Sequence, residues 1–136
     1  MNKENAFTFL EILLIISLIS LLAVISYPKY NTLIESAKIE RFAREIELSL
    51  RQTKQLAIYN SRRHYFEVKD DNQFVIYKDN NDYIKSVSFD DNVKLSNVRV
   101  SFGPIGTASG RTVTIEYSDK SIDLIVSPSG RIRRGS

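Results

Sequence analysis

Between Phe7 and Tyr27 the chain runs 21 residues with only Thr8, Glu11, Ser17, Ser20 and Ser26 breaking a series of Phe, Leu, Ile, Ala and Val. A helix of that length covers roughly 30 Å, about one hydrocarbon thickness, so the segment can cross a bilayer once. A six-residue polar leader, Met1 to Ala6, precedes it. Glu11 sits near the head of the run as a lone carboxylate, which is costly in lipid and therefore calls for an electrostatic partner. Such a segment must be buried in a membrane or against other helices, and the rest of the fold has to be built beyond it.

A secretory signal would end on a small-x-small cleavage site. Ser26-Tyr27-Pro28 does not supply one, and the pattern beyond it stays helical, so the apolar segment is expected to be retained. Lys3, partly cancelled by Glu4, and Lys29 leave little charge asymmetry across the run. The short leader favours an amino terminus inside, and the head is then expected outside the cytoplasmic membrane. With 136 residues in all, one small head remains once the span is set aside. Cysteine is absent, so no disulfide or thiolate metal site can hold that head together.

Past the span, Ile34, Ala37, Ile39, Phe42, Ala43, Ile46, Leu50, Leu56 and Ala57 recur at three- and four-residue steps, with charged residues between them. This is an amphipathic helix over 34–57 whose apolar face covers a head. Pro28 can bend the rod because it removes a helix donor. The combined helix, 7–60, would measure roughly 80 Å and end at Asn60-Ser61. From 61 to 136 the pattern changes to short β-branched and aromatic stretches: 65–68, 73–77, 84–89, 98–102, 112–117 and 121–126. Asp70-Asp71-Asn72, Asp79 to Asp82 and Ser118-Asp119-Lys120 read as turns between them. The expected class is α+β, a long amino-terminal helix packed on a small antiparallel β-sheet head.

The leader, the junction Ala6/Phe7, the run Phe7-Thr8-Phe9-Leu10-Glu11 and Pro28 together resemble the type IV pilin and pseudopilin family. That resemblance implies a prepilin peptidase that cuts between Ala6 and Phe7, where the family usually has Gly at the position of Ala6, followed by N-methylation of Phe7. It also implies assembly with other major and minor pilins or pseudopilins through an assembly platform protein, after a stage in membrane lipid. Glu11 would then meet the new amino group of a neighbouring Phe7, setting the register of packed helices. Motor energy must come from elsewhere, since no nucleotide motif is present and Gly103 to Gly110 lacks the Lys-Ser or Lys-Thr ending of a phosphate loop. That stretch reads as a structural loop whose exposure also suits a partner contact.

The carboxyl half narrows the resemblance. Val100 to Gly106 and Ile125 to Arg133 look like the H-type minor pseudopilins of type II secretion, FimT-like minor pilins and the D-type minor pilin of Gram-positive competence pili. Charge is unevenly distributed: residues 31–63 hold seven Lys or Arg against four acids, 67–93 three against seven, and 94–136 seven against three. The densest basic cluster is Arg131, Arg133 and Arg134; alternation in a strand puts Arg131 and Arg133 on one face, with Arg134 reaching from the chain end. In FimT-like minor pilins a Gly-Arg-x-Arg motif carries DNA contacts, and Gly130-Arg131-Ile132-Arg133 matches it. The resemblance thus implies double-stranded DNA as a partner, with Arg62 and Arg63 as secondary contacts. A solvated basic edge that discourages strand aggregation, an acidic protein partner and a lipid surface remain alternatives.

No enzyme constellation is visible: His64 is the single histidine, and the serines lack a nucleophile elbow. His64 reads as a surface or helix-end residue, and the aspartates at turns as loop solvation without calcium-loop spacing. No cofactor and no metal site are expected. The expected function is a minor pilin of a type IV pilus-like filament serving DNA uptake in natural competence. The alternatives are a minor pseudopilin of type II secretion and a priming subunit of an adhesion or motility pilus without DNA binding.

Overall fold

Apolar residues at helical spacing carry a single helix, α1, from Lys3 to Tyr59. The structure, a computed structural model, describes residues 3–79, 82–90 and 92–135, with the side chains at 3–7, 26 and 28 outside the described set. The side chains of Ala6, Phe7 and Pro28 and the middle of the 79–82 turn therefore lie outside the described set, while the backbone at 6, 7 and 28 is helical. The chain forms two compact units, Met1–Glu35 and Ser36–Ser136.

In the first unit, Leu10, Ile12, Leu13, Leu14, Ile15 and Ile16 are each half or more exposed, and so is the apolar surface onward to Tyr30. Among the described residues, one helix, Thr8–Tyr59, is long and apolar enough to cross a membrane, and its most apolar stretch has no part buried within the chain. Two of its serine hydroxyls are satisfied internally: Ser17 Oγ donates to Leu14 O at 2.7 Å and Ser20 Oγ to Ile16 O at 2.8 Å. Back-bonding of this kind removes the cost of placing a hydroxyl in hydrocarbon.

The second unit contains the core. On α1, Ile39, Phe42, Ala43, Ile46, Leu50 and Ala57 are buried, a stripe with the period of the helix. The helix stops in a Schellman turn: Arg62 N–H reaches Ala57 O and Ser61 N–H reaches Ile58 O, each at 3.2 Å, with Ser61 at φ 51°. His64 is fully buried rather than at the surface, although it does lie just past the helix end. Its Nδ1 faces Arg62 O at 3.1 Å and its Nε2 faces the Asn60 amide at 3.2 Å. The carbonyl can only accept, so the proton sits on Nδ1 and Nε2 accepts from Asn60. The ring is a structural tie between helix cap and first strand.

Eight strands follow: β1 His64–Asp70, β2 Gln73–Lys78, β3 Asp82–Ser88, β4 Val93–Leu95, β5 Arg99–Phe102, β6 Arg111–Tyr117, β7 Lys120–Val126 and β8 Ile132–Arg134. The α+β class holds, with the strands divided between two antiparallel sheets, β3-β2-β1-β5 and β4-β6-β7-β8. Period-two alternation sends Phe66 and Val68, Phe74 and Ile76, and Val100 and Phe102 inward in the first sheet; Val113, Ile115 and Leu124 do the same in the second. Phe66 stacks on Phe74 at 4.8 Å, and Phe42 of the helix meets Phe89 edge-on at 5.2 Å. The free edge strand β3 turns Lys85 inward, its ammonium donating to Ser49 Oγ of α1 at 3.5 Å. An inward charge on an edge strand is a protection against sheet extension.

The outer face of the first sheet is layered rather than bare. Tyr65 stacks on Tyr77 at 5.1 Å, and the Arg99 guanidinium lies 4.4 Å from the Tyr65 ring centre. Burial, and then donation to Glu67 at 2.7 Å, pushes the Tyr77 hydroxyl up to about 12.

Candidate functional site

Two sets of residues carry the chemistry the sequence points to, one in each unit. In the first, Glu11 is exposed on α1 within the apolar surface. It lies four residues beyond Phe7, so one helical turn, roughly 6 Å of rise, separates the carboxylate from the position of the expected new amino terminus.

In the second unit the carboxyl-terminal basic cluster is split by its geometry. Arg131 lies in the turn before β8, and Arg133 is paired with Ile125 in the β7–β8 ladder. Both are exposed, while Ile132 between them is buried. The two arginines thus stand exposed on either side of buried Ile132, one in the turn and one on the three-residue edge strand. Arg134 does something different from reaching outward: its Nη1 bonds Glu40 Oε1 at 2.6 Å and its Nε approaches Glu47 Oε2 at 3.5 Å. Arg44 and Arg51 hold the same two carboxylates at 3.3 and 2.8 Å. The chain Arg44–Glu40–Arg134–Glu47–Arg51 ties β8 to the helix, and Arg134 is engaged there rather than free for a ligand.

These pairs shift the groups in the expected directions. The Arg134 hydrogen bond holds Glu40 below its ordinary 4.5, and the Arg51 hydrogen bond does the same for Glu47. The bond to Glu40 raises Arg134. Carboxylates lowered by folding stabilise the native state fully above their unfolded value, and the contribution is lost as pH falls through the lower folded values. Arg134→Gln should therefore lower the melting temperature at about pH 7 and have a smaller effect at about pH 3. Because the groups are partly exposed, the loss at neutral pH should stay below about 1 kcal/mol. Equal losses at both pH values in thermal melts would contradict the ion-pair account.

Gly130 has a steric reason to be glycine. It adopts φ +71°, and a Cβ added there would lie 2.0 Å from the Gly106 carbonyl oxygen. The turn around it is closed: Gly130 N–H donates to Ser127 O at 2.8 Å, Ser127 N–H to Arg131 O at 2.9 Å, and Arg131 N–H to Ser127 Oγ at 3.1 Å. Gly103 to Gly110 packs on this turn, with Ala108 N–H donating to Pro128 O at 2.9 Å, while Ile105 is 84% exposed. The loop is thus structural at its ends and bare at its tip. Arg62 and Arg63 are exposed in the turn after α1 and do not line the groove beside Arg131. That groove is lined instead by Arg51 and Lys54 of the helix. The sequence placed these two merely on the solvated flank. Their signal is the step of three residues between them, beside the buried positions Leu50 and Ala57. Among the described residues no group of His, Asp or Glu is arranged to hold a metal ion.

No protein-family model matches the chain, and no curated protein matches it. Two crystal structures of the type IV minor pilin FimU from Pseudomonas aeruginosa are similar to it. One superposes with a TM-score of 0.60 at 20% identity over 71% of this chain and 92% of that one. The other has a TM-score of 0.62 at 19% identity over 75% and 91%. At such identities the likeness is one of fold: a long amino-terminal helix packed on antiparallel sheets, as in a type IV minor pilin.

Proposed function

We propose that this chain is a minor pilin that joins a type IV pilus-like filament and contributes to DNA uptake. The observation that carries the filament reading is the bare apolar surface of α1, with Glu11 on it, in a chain whose fold is that of a minor pilin. Leaving that surface in water would forgo about 1.5–3 kcal/mol per large side chain, so it is covered by lipid before assembly and by other pilin helices after it. The amino terminus lies on the cytoplasmic side and the β-rich unit outside. A prepilin peptidase removes residues 1–6 and leaves Phe7 as the methylated amino terminus, and an assembly platform protein extracts the helix into the filament.

The DNA part rests on Arg131 and Arg133, two exposed arginines, one in the turn before β8 and one on β8 itself. Guanidinium groups pair with phosphate through two parallel N–H donors and stay charged at every physiological pH. Contacts to phosphate hold duplex DNA without reading its sequence. Arg62 and Arg63 add to the field at longer range. This arrangement favours DNA uptake over secretion, because a purely structural pseudopilus contact has no need of two exposed arginines flanking a buried residue at the sheet edge.

The filament reading is tested by intact mass on the chain recovered from sheared filaments, which should begin at Phe7; a chain that retains Met1 to Ala6 in filaments would overturn it. For the DNA reading, full-length protein in non-ionic detergent should bind duplex DNA with an affinity that falls steeply as salt rises. Arg131→Gln with Arg133→Gln should reduce binding by at least about tenfold, at about 1.4 kcal/mol per tenfold. Unchanged binding by the double variant would reject this site.

A further inference from the structure

Beside Arg131 lies an open groove of about 610 Å³ between the last turns of α1 and the turn that precedes β8. Arg51, Lys54, Gln55 and Ile58 form its helical wall, and Ser129 and Arg131 stand on the opposite wall. Three cations thus converge on one concavity, and among the described residues none of its lining side chains is a carboxylate. Elsewhere on the same helix the pattern differs: the groove beside Arg41 and Arg44 includes Glu45 in its lining.

The two helical cations are held in place rather than loose. Lys54 Nζ donates to Gly130 O at 2.9 Å, which fixes the ammonium against the turn that carries Arg131 and leaves two of its three N–H donors for the groove. Arg51 is oriented by Glu47 through Nε at 3.1 Å and Nη2 at 2.8 Å, while its side chain remains 53% exposed. Glu47 engages the Nε and Nη2 of Arg51 and leaves its Nη1 donors for the groove. The network of Arg44, Arg51 and Arg134 with Glu40 and Glu47 holds three positive charges against two negative ones. Ile58, 46% exposed, supplies an apolar patch beside the cations.

We infer that Arg51 and Lys54 of α1 form the second wall of a phosphodiester-binding groove whose first wall is Arg131. The ligand class is a duplex DNA backbone, with successive phosphates on the two walls and a deoxyribose against Ile58. This deepens the DNA reading above and rests on it. A two-walled groove grips the backbone from the helix as well as from the carboxyl-terminal strand. The strand therefore cannot bind at full strength when detached from α1.

The test is the dependence of duplex DNA affinity on salt, measured on the full chain in non-ionic detergent. Each phosphate contact contributes about 0.9 to the slope of log affinity against log salt. Arg51→Gln and Arg131→Gln should each flatten the slope by about one, and the double variant by about two. Arg41→Gln, on the same helix but in the other groove and outside the ion-pair network, should leave it unchanged. Lys54→Met tests the same wall but also removes the bond to Gly130, so the judgement rests on Arg51→Gln. A wild-type slope in Arg51→Gln, with binding still lost in the Arg131 and Arg133 double variant, overturns the groove and spares the DNA reading. Absence of salt-dependent binding by the wild type overturns both.

Discussion

Glu11→Ala should leave cleavage at Ala6/Phe7 intact and lower the amount of the chain in sheared filaments by about tenfold or more. A charged side chain costs about 2.5–3.5 kcal/mol at the centre of a membrane helix and less near its end, so a carboxylate one turn into this run still calls for something that offsets the cost. With the processing proposed above, the amino group freed at Phe7 would be such a partner. Within one subunit it precedes Glu11 by one turn; between staggered subunits it can meet the carboxylate of a neighbour, and only one axial offset aligns the two charges. Loss of the carboxylate removes the preference for that offset but not the apolar attraction, so the variant should accumulate in the membrane as a processed chain. Glu11→Gln should behave like Glu11→Ala, because the pairing needs charge rather than shape. Western blots of filament and membrane fractions, with intact mass to confirm the cut, read the result. Wild-type amounts of either variant in filaments would sink the proposed role.

Gly130→Ala should be the most damaging single methyl addition in the β-rich unit. The left-handed backbone at φ +71° costs about 1–2 kcal/mol for a residue with a Cβ. The added carbon would also stand 2.0 Å from the Gly106 carbonyl oxygen, a backbone atom that cannot rotate away. Relief requires moving the Ser127 to Arg131 turn off the Gly103 to Gly110 loop, at the expense of the Lys54 bond to Gly130 O. A total loss of about 2–4 kcal/mol follows, or roughly 10–20 °C in melting temperature for a unit of this size. Arg131→Gln, by contrast, should melt within about 2 °C of wild type, since an exposed side chain far from such features changes stability little. If Gly130→Ala melts with the wild type while DNA affinity falls, the glycine serves the ligand directly and the steric account is wrong.

How much of this was legible in the sequence depended on the range of the interaction that decides each feature. The helix, its buried stripe at Ile39, Phe42, Ala43, Ile46 and Leu50, and its end at Asn60-Ser61 follow from spacing and cap chemistry, which act within a few residues. The longer strands follow from alternation and from turn residues such as Asp71-Asn72 and Ser118-Asp119. β4 and β8, three residues each, leave no periodicity to read; pairing Leu95 with Ile115 and Ile132 with Val126 makes them strands. That same pairing divides the strands into two sheets where alternation alone allowed one.

The candidate sites divide along the same line. The sequence by itself determined that a membrane-length apolar helix carries one carboxylate, and that a glycine precedes alternating arginines near the carboxyl end. Only the tertiary structure decided which arginines serve which purpose. Arg134 is drawn onto Glu40 and Glu47, more than eighty positions earlier in the chain, while Arg131 is left exposed opposite Arg51 and Lys54. The physical reason is that charge and hydrogen bonding depend on distance in space, and packing the head on α1 sets those distances without leaving a trace in local spacing.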